Sequence, residues 1–150
     1  MEEYFMRYRK IIDCEVGWNT KIGDFVDLYR CKIGNYCKIH SFVFIEEGVV
    51  IGDRCIVKPH VFIPTGVVIE DDVFIAPGVV FVNDRHPKAN NDKWRLEKTV
   101  IKKGASIGAN ATIMCGLSIN EEAMIGAGAV VTKDVEAKAV VVGNPAKKVR

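Results

Sequence analysis

Aliphatic side chains recur every six positions along this chain. They stand at Val16, Ile22 and Leu28, run from Ile33, Ile39 and Ile45 on to Phe81, and return from Ile101 to Val131. One step, Leu28 to Ile33, is five residues. A fixed short period marks a solenoid, in which each repeat buries its apolar side on its neighbours. Six does not match the 3.6 period of a helix. A second register lies two residues earlier and runs from Val26, Cys31 and Cys37 to Ala123 and Ala129. Residues two apart on a strand share a face, so each hexad sends two side chains inward. Glycine follows the aliphatic at positions 23, 34, 52, 108 and 126, where a tight corner is expected to use its permissive backbone. Three hexads make one coil with three flat sides, since Ile33-Gly34 returns eighteen residues later as Ile51-Gly52. The eighteen aliphatic positions amount to six coils.

The chain of 150 residues suits a single domain, residues 1–150, and 49% hydrophobic content supplies its core. No apolar stretch is long enough to span a bilayer, and no apolar run follows the first charges as in a signal peptide, so the expected location is cytoplasmic. Cys31, Cys37 and Cys55 fall on the inward register and read as small buried hydrophobes. Cys14 and Cys115 lack metal or redox spacing, so all five cysteines are expected as free thiols. A net charge of +2 offers no broad surface for a polyanion, and nucleic acid is not an expected partner. The residue before each aliphatic should point outward. Phe44, Val50, Ile56, Phe62, Val68, Phe74 and Val80 are seven such residues in succession, read here as one contiguous apolar surface and therefore a subunit interface.

The period lapses once. Phe81 to Ile101 is twenty residues, two more than a coil, and the insert at about 82–100 is polar and carries a proline. Long loops in compact repeats are usually functional or disordered, and this one gathers His, Asn, Trp and several cations on a rigid scaffold.

Four stretches carry a family resemblance. They are Val79-Val80-Phe81-Val82-Asn83-Asp84-Arg85-His86-Pro87, residues 102–113, residues 126–135 and the ending Val142-Gly143-Asn144-Pro145-Ala146-Lys147. The chain resembles the hexapeptide-repeat acyltransferases, and among them the bacterial nucleotide-amino-sugar N-acetyltransferases. The resemblance implies an all-β, left-handed parallel β-helix with one long inserted loop and a short tail at 136–150. The general rule for parallel crossovers alone would give the opposite hand. It further implies a homotrimer, acetyl-CoA as acyl donor bound between subunits, and no metal. The acceptor would be a dTDP- or UDP-linked amino-deoxy sugar in lipopolysaccharide or other glycan biosynthesis. Sugar O-acetyltransferases carry close variants of these motifs and are the alternative. A non-catalytic or zinc-binding β-helix is a third reading, though His40, His60 and His86 lack the spacing of a three-histidine zinc site.

Acyl transfer needs a proton acceptor and a donor aimed at the developing oxyanion. His86 is the candidate base, because histidine titrates near neutrality. Asn83 is the candidate group for holding the amine or the thioester oxygen; alternatively it starts a turn with Asp84. Glu46, His60, Asp84, Arg85 and Trp94 are candidate substrate-binding residues. Gly108, Ala109, Gly126 and Ala127 present backbone along which a pantetheine arm can lie. Lys133, Lys147 and Arg150 are cations suited to coenzyme A phosphates, or else solvated tail charges. Asn144 and Pro145 read as a turn that the resemblance places beside the adenine.

Overall fold

The computed structural model describes residues 8–150. They form short strands arranged as three sheets of seven, six and eight strands, parallel except for the last strand of the third, and the sheets are the faces of a prism. Most strands are two residues long, because each hexad gives its other residues to a corner. The first face stacks strands such as Phe44–Ile45, Phe62–Ile63 and Val80–Phe81. The second stacks Val50–Ile51, Val67–Ile69 and Thr99–Ile101, and the third Ile56–Val57, Phe74–Ile75 and Ser106–Ile107.

The register explains the irregular steps. Val50 pairs with Val68 and Ile51 with Ile69, eighteen residues on. In the N-terminal coil Val16 pairs with Ile33 and Leu28 with Ile45, seventeen residues on. The five-residue step therefore shortens one corner and leaves the stacking intact. Residues 9–12 add a further strand beneath Val26–Tyr29 and begin the first coil. Residues 1–7, whose role the sequence leaves open, lie outside the described residues.

Across the long lapse, Ile69 pairs with Ile101, 32 residues on instead of 18. The excursion thus adds 14 residues at a single corner; it does not take the place of a coil. The strand resumes at Thr99, on the inward register, where the Thr99 hydroxyl accepts the Gly116 N–H at 3.1 Å. From Leu28 to Val131 every hexad aliphatic is at most 4% exposed. Val16 is 40% exposed, because its coil is the outermost among the described residues.

The corners correct the expectation for glycine. Gly23, Gly34, Gly52, Gly108 and Gly126 do not have positive φ. They are small because the next coil lies against them: a Cβ on Gly108 would sit 2.5 Å from the Ala127 nitrogen. The left-handed residue comes two positions later, as at Phe25, Tyr36, Arg54, Asn110 and Gly128. Among the described residues thirteen non-glycine residues have positive φ, most of them at this corner position.

The seven outward apolar residues are not one surface. Each six-residue step turns to the next face. Phe44, Phe62 and Val80 lie on the first face, Val50 and Val68 on the second, Ile56 and Phe74 on the third. They form a girdle around the prism, with the Phe44 and Phe62 rings stacked at 5.5 Å on the first face.

At the C-terminal end Val140–Val142 still pairs in parallel with Met124–Ile125. The chain then reverses through the cis Asn144–Pro145 bond, and Lys147–Lys148 returns antiparallel. The turn read at Gly143-Asn144-Pro145 is present. Among the described residues no helix is long and apolar enough to cross a membrane.

Candidate functional site

Three edges join the faces, and each has its own chemistry. The loop edge, between the first and second faces, carries residues 82–98. Asp84 Oδ1 accepts the His86 N–H at 2.9 Å, an Asx turn that sets the backbone just before Pro87. Arg85 donates to Glu97 through Nη2 at 2.8 Å and Nε at 3.2 Å, and Nη2 also donates to the Cys115 carbonyl at 2.8 Å. Trp94 Nε1 donates to the Asn83 carbonyl at 3.1 Å. The Leu96 side chain lies over Gly66, where a Cβ would meet it at 2.7 Å. Glu97 sits over Gly116 in the same way, at 2.6 Å. Two corner glycines, one on the coil below and one on the coil above that of the loop, are thus the floor on which it rests.

Electrostatics follow this geometry. The Arg85 hydrogen bonds and charge hold the Glu97 carboxyl below the usual range, with smaller help from the Cys115 thiol. Burial, and then the Glu97 charge, push the Cys115 thiol up. His86 is exposed and Asn83 half-buried. Arg85, read from sequence as a substrate contact, has its guanidinium engaged in anchoring the loop.

Glu46 lies on the same edge, two coils below. Its Oε2 accepts the Thr65 N–H at 2.9 Å. Beside it Tyr29, Phe44, Glu47 and Thr65 line an open concavity of about 370 Å³.

The ring edge joins the third and first faces. Tyr8, Phe25, Phe42 and His60 stack up it with centroids 5.4, 5.1 and 5.0 Å apart. Above His60 the same corner position is filled by Gly78, Asn110 and Gly128. Gly108, Ala109, Gly126 and Ala127 lie on this upper half, where Gly128 N–H bonds to the Ala109 carbonyl at 2.8 Å. Gly126 owes its size to Val142, whose Cγ1 lies 2.7 Å from where its Cβ would be. The hairpin of Asn144 and Pro145 reaches the first face here: Val130 N–H bonds to Gly143 O at 3.0 Å and Ala146 N–H to Val130 O at 2.8 Å. Lys147 is exposed on the returning strand, and the Arg150 carbonyl accepts the Val140 N–H at 2.8 Å. Lys133 follows the strand Val130–Val131 and lies on the loop edge. It shares with Lys148 and Glu136 a concavity of about 170 Å³ at the open end of the prism.

The remaining edge, between the second and third faces, is charged. Asp53 Oδ1 accepts the Asn35 N–H at 2.7 Å, and Asp71 Oδ1 accepts the Asp53 N–H at 2.9 Å. Arg54 holds Asp72 at 2.6 Å. The eighteen-residue spacing of Asn35, Asp53 and Asp71 was the available signal for this ladder.

The structure therefore sorts the candidates into two groups. Asn83, Asp84, Arg85, His86, Trp94 and Glu46 share the loop edge; His60, the four small residues and the hairpin share the ring edge. The first face lies between them. His86 stands on a different edge from His40 and His60, and among the described residues no three metal-ligating side chains converge.

Residues 30–65 and 98–133 match the family described as bacterial transferase hexapeptide (six repeats). The chain is a hexapeptide-repeat protein. Over 50 residues it is 56% identical to the dTDP-3-amino-3,6-dideoxy-alpha-D-galactopyranose 3-N-acetyltransferase of Aneurinibacillus thermoaerophilus, which covers 33% of this chain and 26% of that protein. Over 129 residues it is 30% identical to the bifunctional protein GlmU of Alkaliphilus metalliredigens, covering 86% of this chain and 23% of that protein. The hexapeptide-repeat chain spans about a quarter of the length of these curated relatives. Its fold is similar to that of AntD, an N-acyltransferase from Bacillus cereus in complex with dTDP and 3-hydroxybutyryl-CoA. There the TM-score is 0.81 at 21% identity, over 91% of this chain and 81% of that one.

Proposed function

We propose that this hexapeptide-repeat protein is an acetyl-CoA-dependent N-acetyltransferase. Its acceptor is the amino group of a dTDP- or UDP-linked amino-deoxy sugar destined for a bacterial glycan. The observation that carries the proposal is the 56% identity with a dTDP-amino-sugar N-acetyltransferase. The fold shared with AntD supports the same reading.

The division of candidates between two edges fits a site made by two copies of the chain. In a cytoplasmic homotrimer of left-handed prisms, the loop edge of one copy faces the ring edge of the next. Coenzyme A then runs along the narrow edge formed by Gly108, Ala109, Gly126 and Ala127. Lys147, Arg150 and the Asn144–Pro145 hairpin lie toward its nucleotide end. The sugar sits under the neighbouring loop, near Asn83, His86 and Trp94.

The neutral amine attacks the thioester carbonyl carbon directly. A C–N bond forms, and collapse of the tetrahedral adduct breaks the C–S bond and releases the thiol of coenzyme A. His86 takes the proton that the nitrogen loses and returns it to the departing sulfur, and the Asn83 carboxamide donates to the developing oxyanion. Such a positioned base contributes about 10²–10⁴ in rate. Holding both substrates at near-attack distance accounts for much of the rest.

The test is direct. Acetyl-CoA should raise the melting temperature, since a ligand specific to the native state stabilises it. Offered amino and hydroxy sugar nucleotides side by side, the protein should acetylate the amine. Transfer to hydroxyls alone would make it an O-acetyltransferase, and no binding of acetyl-CoA would refute both.

A further inference from the structure

Cys14 and Cys31 lie one above the other at the edge of the second face. Cys14 precedes Glu15–Val16 and Cys31 precedes Lys32–Ile33, and these two strands are parallel partners. The Cys31 thiol donates to Cys14 Sγ at 3.5 Å, and the Cys14 thiol donates to the Ile12 carbonyl at 3.3 Å. Stacked strands are about 4.8 Å apart, within the Cα separation that disulfides span. Bond formation therefore asks for side-chain rotation without moving a strand.

The other cysteines are differently placed. Cys37 and Cys55 are buried, and each donates to a backbone carbonyl, Gly52 O and Glu70 O, at 3.0 Å. Cys115 is buried on the loop edge. Cys14 alone among the five is partly open to solvent. Its sequence spacing to Cys31 is seventeen residues, one short coil.

We propose that Cys14 and Cys31 are a redox-active pair that closes to a disulfide by exchange with a low-molecular-weight disulfide of the glutathione class. Cys14 gives its proton to water and its thiolate attacks one sulfur of the oxidant, forming a mixed disulfide and expelling one thiolate. Cys31 then loses its proton and attacks the Cys14 sulfur, expelling the second. The two cysteines are oxidised by two electrons, and one small disulfide is reduced to two thiols. Cys14 goes first because it is the accessible partner. Burial, and then its hydrogen bond to Cys14, push the Cys31 thiol up to about 12, so it is the resolving group.

The bond would staple an edge strand. Glu15–Val16 ends the second face, and its only described ladder is to Lys32–Ile33, through Glu15 N–H to Cys31 O at 3.0 Å and Gly17 N–H to Ile33 O at 2.8 Å. Edge strands open locally at low cost, and the cross-link closes a short loop across that opening.

The test uses the full chain with oxidised glutathione. Peptide mapping by mass spectrometry should find a 14–31 cross-link lighter by two hydrogens. Two of the five thiols should vanish from titration after unfolding, and dithiothreitol should restore them. Hydrogen exchange at Glu15 and Gly17 should slow at least tenfold, and the melting temperature should rise on the order of 5 °C. Cys14→Ser, at a half-buried site, should fold normally and show none of these changes. Five titratable thiols at excess oxidant, a glutathione adduct that stays on Cys14, or a link between other cysteines would each overturn the proposal. So would a 14–31 link that leaves exchange at Glu15 unchanged.

Discussion

The guanidinium of Arg85 grips the carboxylate of Glu97 through two hydrogen bonds of 2.8 and 3.2 Å, and so ties off the loop that carries His86. The Cys115 carbonyl holds the same guanidinium to the prism. Both side chains are about two-fifths exposed, so the pair orders the loop more than it stabilises the fold. Glu97→Gln should speed hydrogen exchange across 83–98 about tenfold while leaving the melting temperature nearly unchanged. Acid should do the same to the native protein. The Glu97 carboxyl titrates lower folded than unfolded, because Arg85 holds its charged form. Its contribution is complete above the ordinary glutamate value and is lost as pH falls through the depressed one. Protection from exchange in the loop, taken against the intrinsic rate at each pH, should therefore fall as pH drops below the ordinary glutamate value of about 4.3.

His86 is exposed beside this anchor, and its role as base is tested by substitution. His86→Ala should lower kcat about 10²-fold or more and remove the acid limb of the pH–rate profile. Turnover near normal with an unchanged profile would mean that the amine needs no protein base. Asn83→Ala should lower kcat with little change in the Km for acetyl-CoA, as expected for a contact made in the transition state.

Ile75 is fully buried and stacks between Val57 and Ile107 on the third face. Ile75→Ala should cost about 2–5 kcal/mol by urea unfolding. Combined with Ile107→Ala, its stacking partner, the losses should depart from additivity.

Gly108 and Gly128 should respond differently to alanine. A Cβ at Gly108 would lie 2.5 Å from the Ala127 nitrogen, which is backbone and cannot rotate away. Gly108→Ala should cost about 1–3 kcal/mol through strain between coils. A Cβ at Gly128 meets nothing within 4 Å, and only its φ of 68° resists. Its alanine variant should lose about 1 kcal/mol, the cost of the left-handed region.

Lys138 tests the converse, since it holds a φ of 61° without being glycine. Lys138→Gly keeps the N–H bond to Glu121 O and relieves that conformation. The unfolded chain gains entropy in return, so the net should be a stabilisation of up to about 1 kcal/mol, read as a rise in melting temperature.

The hexad was legible because burial on stacked coils leaves a strict period. Leu28, Ile45, Ile63 and Phe81 point inward as the spacing predicts. The long loop was visible as a lapse at about 82–100, and only the pairing of Ile69 with Ile101 shows that it grows from one corner. The apolar residues Phe44 to Val80 misled because adjacency in a solenoid sequence is rotation in space. Gly108 misled for a related reason: the backbone it meets on the next coil, at Gly126 and Ala127, is eighteen and nineteen residues away, and close approach there leaves the same glycine as a strained turn would.

The sequence by itself determined the coil, the inward registers and the place where the chain leaves them, because each depends on a local period. The tertiary structure decided what meets what. It placed Arg85 on Glu97 and Cys115, His60 on Phe42, and Cys31 over Cys14. Those contacts join residues a coil or more apart, or close a loop, and the pitch that aligns them is set by backbone hydrogen bonds between coils.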